Sequence, residues 1–217
     1  MTLVIYDKEY KMPDKFTISQ FKQLIAFDTS LEMNWNKVIQ ITFNIPLEIV
    51  TQIPDDTKEL AISFIAAYIM QVRTDYVSNK MNLENLTFGQ YIDLDVYYSD
   101  GLHQHLEKVI NILFNIDEDD YINEYWGGVL YYIKWRQNFI KNYQNLFSID
   151  DEQEMPTKSE APNQVARSWY NTAMYLIEDD LLKLESLLNQ SVVSVFNFMA
   201  YKKQKNLDEL SRSRKQN

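Results

Sequence analysis

The chain has no cysteine, and its 217 residues include only four glycines, five prolines and two histidines. Each shortage removes a class of chemistry. Without cysteine there is no disulfide scaffold, no thiol nucleophile and no thiolate-bound zinc or iron–sulfur site. So little glycine excludes phosphate-cradling loops, and neither G-x-G-x-x-G nor G-x-x-x-x-G-K-[ST] occurs. It also argues against an all-β architecture, which needs turn glycines. The longest apolar stretch, Leu60–Met70, is broken by Ser63 and falls well short of the ~20 residues of a membrane span. The opening MTLVIYDKEYKMP lacks the basic start and long apolar run of a signal peptide. A cytosolic protein with no membrane partner is expected.

Hydrophobic residues make up 46% of the chain and charged residues 24%, a globular composition with enough apolar side chains for a core. The net charge of −10 opposes a free-standing nucleic-acid role. That charge is uneven. The tail Tyr201–Asn217 sets Lys202, Lys203, Lys205, Arg212, Arg214 and Lys215 against Asp208 and Glu209, a net +4, so the other 200 residues carry −14. Contact with nucleic acid would be confined to this tail.

The pattern along the chain predicts a mainly α fold. Leu3–Tyr6 and Tyr10–Met12 flank Asp7-Lys8-Glu9 as a short N-terminal β-hairpin. Thr17 caps a helix over Ile18–Phe27. A second helix covers about Ser30 to Thr42, a short turn of helix Pro46–Ile53, and another helix about 55–77. Thr87 caps a further short helix, and Asp100 or Ser99 caps Leu102–Phe114. A long helix from about Asp120 to Leu146 contains Gly127-Gly128, which predicts a kink or a close helix contact. The segment 148–163, SIDDEQEMPTKSEAPN, reads as an acidic linker. Val165, Trp169, Ala173, Leu176, Leu181, Leu184 and Leu188 then mark one helix face, and Val192, Val195, Phe196 and Met199 another. Asn189-Gln190-Ser191 either separates them into a hairpin or lies within one rod. The expected organisation is a helical domain over 1–147, the linker 148–163, a C-terminal helical segment over 164–206 and a basic tail over 207–217.

An internal duplication underlies the first domain. Lys37–Ile45 (KVIQITFNI) matches Lys108–Ile116 (KVINILFNI) at seven of nine positions, 71 residues apart. Phe16-Thr17-Ile18-Ser19-Gln20-Phe21 matches Leu86-Thr87-Phe88-Gly89-Gln90-Tyr91, 70 residues apart. The copies span about 16–46 and 86–117. Each reads as a Thr-capped helix followed by a helix that closes on asparagine, which tolerates the left-handed conformation. Neither helix pair buries its own apolar face, so the two are expected to share a core.

No pattern assigns a catalytic, cofactor-binding or metal-binding residue. His103 and His105 lie two apart and do not share a helix face. Asp93 and Asp95 read as solvated carboxylates or caps. Asp117-Glu118-Asp119-Asp120 lacks the glycine and distal glutamate of a calcium loop. The aromatic residues are more informative. Tyr121, Tyr125, Trp126, Tyr131, Tyr132, Trp135, Phe139, Tyr143 and Phe147 are too many for one helix face, so they divide between core and a partner interface.

Three segments resemble small proteins of tailed bacteriophages encoded with the structural and tail-assembly genes. They are Tyr10-Lys11-Met12-Pro13 followed by Thr17-Ile18-Ser19-Gln20-Phe21, then Ile45-Pro46-Leu47-Glu48-Ile49-Val50, then Leu86–Leu94 (LTFGQYIDL). The close Trp169…Phe196–Lys202 is similar to the end of phage tail-assembly chaperones. The resemblance implies a non-enzymatic assembly protein without cofactors, working in the host cytoplasm. Its partners would be other phage proteins: a tape-measure-like protein for a chaperone, or neighbouring subunits for a virion component of the neck, portal or tail. Self-association is open under either reading. Candidate partner-binding residues are Tyr125, Trp126, Tyr132, Trp135, Trp169, Phe196, Lys202, Lys203 and Lys205. The rival from another class is a carboxylate- or metal-dependent enzyme, which requires a buried cluster of acids in a pocket.

Overall fold

The structure is a computed structural model that describes residues 1–27, 30–74, 83–116, 120–147 and 162–216. It is mainly α, with one short two-stranded antiparallel sheet at the N-terminus. Strands β1 (Thr2–Ile5) and β2 (Lys8–Lys11) pair with Ile5 opposite Lys8. The turn is therefore the two residues Tyr6 and Asp7, with φ of 49° and 60°, not Asp7-Lys8-Glu9. Two left-handed residues match the twist of the strands, which a three-residue loop here would not do as simply.

The chain divides into two compact units, each discontinuous in sequence. The first comprises Met1–Asn79 and Leu102–Leu130, the second Lys80–Gly101 and Tyr131–Asn217. This replaces the expected division between 1–147 and 164–206. The expected linker falls on residues that, up to 161, lie outside those described.

In the first unit, the sheet is followed by α1 (Ile18–Ile25), α2 (Trp35–Phe43), α3 (Leu47–Val50) and α4 (Asp55–Thr74). A 3-10 turn at Glu32–Asn34 leads into α2, so the expected helix start at Ser30 moves inward. In the same unit lies α6 (Leu106–Phe114), entered through a 3-10 turn at Leu102–His105. Helix α1 packs against both α2 and α6, the two matching helices of the duplication. Its buried Ile18, Phe21 and Leu24 follow helical spacing. The Lys22–Glu107 ion pair joins α1 to α6, and Phe16 meets Tyr68 of α4 edge to face at 4.8 Å.

The second unit contains α5 (Phe88–Gly101), α9 (Pro162–Leu176), α10 (Leu184–Leu188) and α11 (Val192–Gln216). Helix α7 (Trp126–Asn142) begins in the first unit and continues in the second, where α8 (Gln144–Phe147) follows. The expected single helix over 120–146 is thus a 3-10 turn at Ile122–Glu124 followed by α7 and α8. Gly127 and Gly128 sit in the first turn of α7, both buried. The apolar face expected from Val165 to Leu188 is also broken. Glu178 and Asp179 take left-handed φ of 56° and 61°, and Asp180 then caps a 3-10 turn at Leu181–Lys183. Asn189-Gln190-Ser191 does separate α10 from α11. The tail expected over 207–217 continues α11 as helix to Gln216.

The duplication extends further in space than in sequence. Thr17 and Gln20 form a capping box with reciprocal bonds of 3.2 Å, and Thr87 and Gln90 repeat it at 3.0 and 3.1 Å. Each capped turn is tied by paired backbone bonds to a segment 104 residues later. Ile18 N–H donates to Asp120 O and Ile122 N–H to Phe16 O. Phe88 N–H donates to Gln190 O and Val192 N–H to Leu86 O. The bridges Thr17–Tyr121 and Thr87–Ser191 are equivalent at an offset of 70. So are the edge-to-face pairs Phe21–Trp126 and Tyr91–Phe196, each 5.4 Å between centroids. Gly89 lies close to Leu188 in the second unit: a Cβ there would stand 3.4 Å from Leu188 O, at the edge of ordinary contact. The second copy of the sequence repeat is split, with α5 in the second unit and α6 in the first.

Both repeated helices do close as the sequence implies. Asn44 has φ 52° and ψ 45°, Asn115 φ 55° and ψ 52°. Alanine at either position is expected to destabilise by about 1–2 kcal/mol, while glycine stays within about 0.5 kcal/mol of the parent. The midpoint and slope of urea unfolding measure both. Equal effects of alanine and glycine would remove the left-handed conformation as the reason for asparagine.

Candidate functional site

The second unit is built on an aromatic interior. Tyr91 of α5, Tyr132 and Phe139 of α7, Trp169 of α9 and Phe196 of α11 are all buried. Tyr91 lies 5.6 Å from Trp169 and 5.8 Å from Phe139, and Phe139 lies 4.8 Å from Phe196. Such pairs add roughly 0.5–1.5 kcal/mol each to the burial of their area.

One ion pair is embedded here. Asp95, only 6% exposed, accepts 2.7 Å bonds from Arg136 Nε on Oδ1 and Trp169 Nε1 on Oδ2. Arg136 also contacts Oδ1 through Nη2, and its guanidinium stacks 4.2 Å from the Tyr98 ring. Burial pushes the Arg136 guanidinium down, but the Asp95 carboxylate and its hydrogen bonds outweigh that and hold it above its ordinary value. Asp95 therefore corrects the expectation of a solvated carboxylate or cap. Asp93, two residues away, is exposed. With both oxygens of Asp95 occupied by neighbours in α7 and α9, the arrangement ties three helices together and presents no reacting group.

The hydroxyls of Tyr91 and Tyr132 are buried beside this pair, with no hydrogen-bond partner among the described residues. Burial pushes both phenols above the ordinary tyrosine range, with the Asp95 charge adding to the rise. In the unfolded chain they ionise near pH 10. Their contribution to stability is complete below that pH and is lost as pH rises through it toward the folded values. Stability is expected to fall above about pH 10, by up to ~1.4 kcal/mol per pH unit for each phenol. The double variant Tyr91→Phe/Tyr132→Phe should lose that part of the slope. Urea titrations at a series of alkaline pH values measure it; an unchanged slope would deny the two phenols this role.

The outer end of α11 is different. Its residues from 204 to 213 are exposed, including Leu207 and Leu210, and Tyr201 is exposed beside them. Two grooves flank the helix before that end. One, of about 440 Å³, is lined by Asn142, Tyr143, Leu146, Ala200 and Gln204. The other, of about 280 Å³, is lined by Thr172, Tyr175, Leu176, Met199 and Asn206. Leu146, Lys203 and Leu207 border both. Lys203 donates to Asn145 O at 2.6 Å. Lys202 lies 3.4 Å from Glu178 Oε1 and stands over the rings of Tyr175 and Phe198. The lysine stems thus cover apolar wall while their charges remain at the rim.

A second concave surface belongs to the first unit. It has a volume of about 530 Å³ and is lined by Glu32, Met33, Trp35, Asn36, Asp55, Asp56, Lys58 and Glu59. Lys58 is buried and pairs with Asp55 at 3.2 Å. Asn36 Oδ1 is buried and has no hydrogen-bond partner among the described residues.

Of the candidate partner-binding residues, Lys202, Lys203 and Lys205 lie along the grooved stretch of α11, with Lys202 and Lys203 half-buried and Lys205 exposed. Tyr132, Trp169 and Phe196 are interior and hold the second unit together, so they leave the candidate surface. Tyr125, Trp126 and Trp135 are half-buried. Tyr125 meets Phe114 edge to face and donates to Asp120, Trp126 meets Phe21, and Trp135 stacks on Phe139 at 4.7 Å. Their contacts within each unit serve the core. Sequence reasoning missed Leu146, Tyr175 and Leu207. The signal available was apolar spacing that continues past Met199 to Leu207 and Leu210 within the basic tail.

Among the described residues, no group of three or more His, Asp or Glu side chains is placed to hold a metal ion, and no helix is long and apolar enough to cross a membrane. No protein-family profile, curated protein or solved structure matches the chain.

Proposed function

We propose that this is a non-enzymatic bacteriophage assembly protein, a tail-assembly chaperone that receives a helical segment of a partner beside α11. The observation that carries the binding part is the pair of grooves meeting at Leu146, Lys203 and Leu207. Apolar walls spaced along a rigid helix suit the i, i+3 and i+4 anchors of an amphipathic helix. The bacteriophage part rests on the resemblance carried by Thr17–Phe21, Ile45–Val50 and Leu86–Leu94.

Quantitative mass spectrometry of infected-cell lysate and purified particles tests the reading. A chaperone is abundant in the lysate and absent from particles. A fixed, symmetry-related copy number in particles would instead make the chain a structural subunit of the neck, portal or tail region. Leu207→Glu, at an exposed position bordering both grooves, should lower particle yield without lowering the melting temperature. Normal yield would free the grooves of this role.

A further inference from the structure

We propose that the chain self-associates head to tail, with the arginine-bearing end of α11 from one copy seated in the acidic cleft of the first unit of a second copy. Two surfaces carry the inference, and each supplies what the other lacks.

From Gln204 to Ser213 the end of α11 is a helix face that none of the described residues covers. Leu210 is 58% exposed, and Arg212, Arg214 and Lys215 follow it without an intervening acid. Cations in a last turn suit the helix dipole, but that does not account for the leucines. An uncovered helix end of this length is marginal in water, so a docking surface would stabilise it. Pairing of two α11 ends with one another is disfavoured, because each tail carries +4.

The cleft has the opposite charge, with two apolar side chains among its lining residues. Glu32, Asp55, Asp56 and Glu59 against Lys58 leave a net −3, facing the +3 of Arg212, Arg214 and Lys215. Met33, 83% exposed, and Trp35 supply the apolar part. From Asp56 an exposed row continues along α4 through Leu60 and Phe64 at i+4 spacing, a match for Leu207 and Leu210. A guanidinium entering the cleft meets carboxylates on several sides, with Trp35 and Asn36 beside them in the lining. An ammonium would satisfy fewer of these groups.

The two surfaces lie on different parts of the chain, so the contact is heterologous and leaves one free end of each kind. Repetition gives a ring if the rotation closes and a filament if it does not. The contact is small, so each junction is weak and salt-sensitive.

Sedimentation velocity of the full chain over a concentration series, in about 0.05 and about 0.5 M sodium chloride, tests this. The parent is expected to associate at low salt, with about tenfold weaker association at high salt. Glu32→Gln/Glu59→Gln lowers the cleft charge from −3 to −1 and Arg212→Gln/Arg214→Gln lowers the facing charge from +3 to +1, and each should be monomeric at concentrations where the parent associates. Mixed in equal amounts, they should form a 1:1 complex that grows no further, since only one cleft and one tail remain intact. A parent that stays monomeric at low salt, including through docking of its own tail, overturns the proposal. So does a variant that associates like the parent, or a mixture that stays monomeric. Circular dichroism and melting temperature verify that each variant is folded. Should one fail to fold, the concentration and salt series of the parent still decides.

Discussion

Replacing Asp95 by asparagine is expected to cost about 3–5 kcal/mol, more than any other single polar change in the second unit. The substitution keeps the shape and removes the charge, leaving the Arg136 guanidinium buried beside a neutral amide. Arg136 cannot shed its proton to escape. Trp169 Nε1 would keep an acceptor only if the amide oxygen faced it, which turns the amide nitrogen toward Arg136. The compensating test is the apolar pair Asp95→Leu/Arg136→Met, which should recover most of the loss, since a buried ion pair is worth little against well-packed apolar groups. Urea unfolding of the two variants separates these cases. A loss below about 1 kcal/mol for Asp95→Asn would mean that water reaches the pair and that it does not hold α5, α7 and α9 together.

Phe196→Ala is expected to be of similar size, about 3–5 kcal/mol. The ring is wholly buried and touches Tyr91, Phe139, Tyr143 and Trp169, so its removal leaves a cavity bounded by rings that cannot all collapse inward. Phe198→Ala, two residues along the same helix and 43% exposed, should cost less than about 1 kcal/mol. Phe21→Ala makes the equivalent change in the first unit, since Phe21 meets Trp126 as Tyr91 meets Phe196. It should also cost several kcal/mol. A small effect for Phe21 and a large one for Phe196 would show that the two aromatic pairs, alike in geometry, differ in how far their surroundings relax.

Local chemistry was legible in the sequence. Thr17 and Thr87 announce capped helices because a short hydroxyl side chain three residues before glutamine satisfies helix donors that have no other partner. Asn44 and Asn115 announce helix ends for an equally local reason. Glu178 carries no such mark: its side chain does not favour a left-handed backbone, so the break after α9, which Asp179 N–H closes on Met174 O, is not announced at that residue. Asp95 was read as solvated because its partners Arg136 and Trp169 lie 41 and 74 residues away, and nothing near Asp95 signals them. The aromatic crowd in 121–147 showed that some rings must leave the helix face, but not which. Tyr132, on α7, is interior, while Tyr121 lies ahead of the 3-10 turn at Ile122–Glu124 and is exposed. The candidate surface was half legible: the lysines stood out as charge, while Leu207 and Leu210 were hidden in what reads as a polar tail.

The two backbone ties have a consequence for how the protein is made. Thr17 must meet Tyr121 and Thr87 must meet Ser191, so the closures interleave: the second begins before the first is complete. Neither unit can finish from a contiguous stretch of nascent chain. At about 5–20 residues per second, roughly 5–20 s of synthesis separate each capped turn from its mate. For that interval Phe88 and Tyr91, both without solvent exposure in the finished protein, have no α11 to cover them. Vectorial synthesis therefore imposes an order, with closure at Tyr121 preceding closure at Ser191. A chain released between the two closures still has Tyr91 without Phe196 against it, the species on which a host's own chaperones and proteases would act.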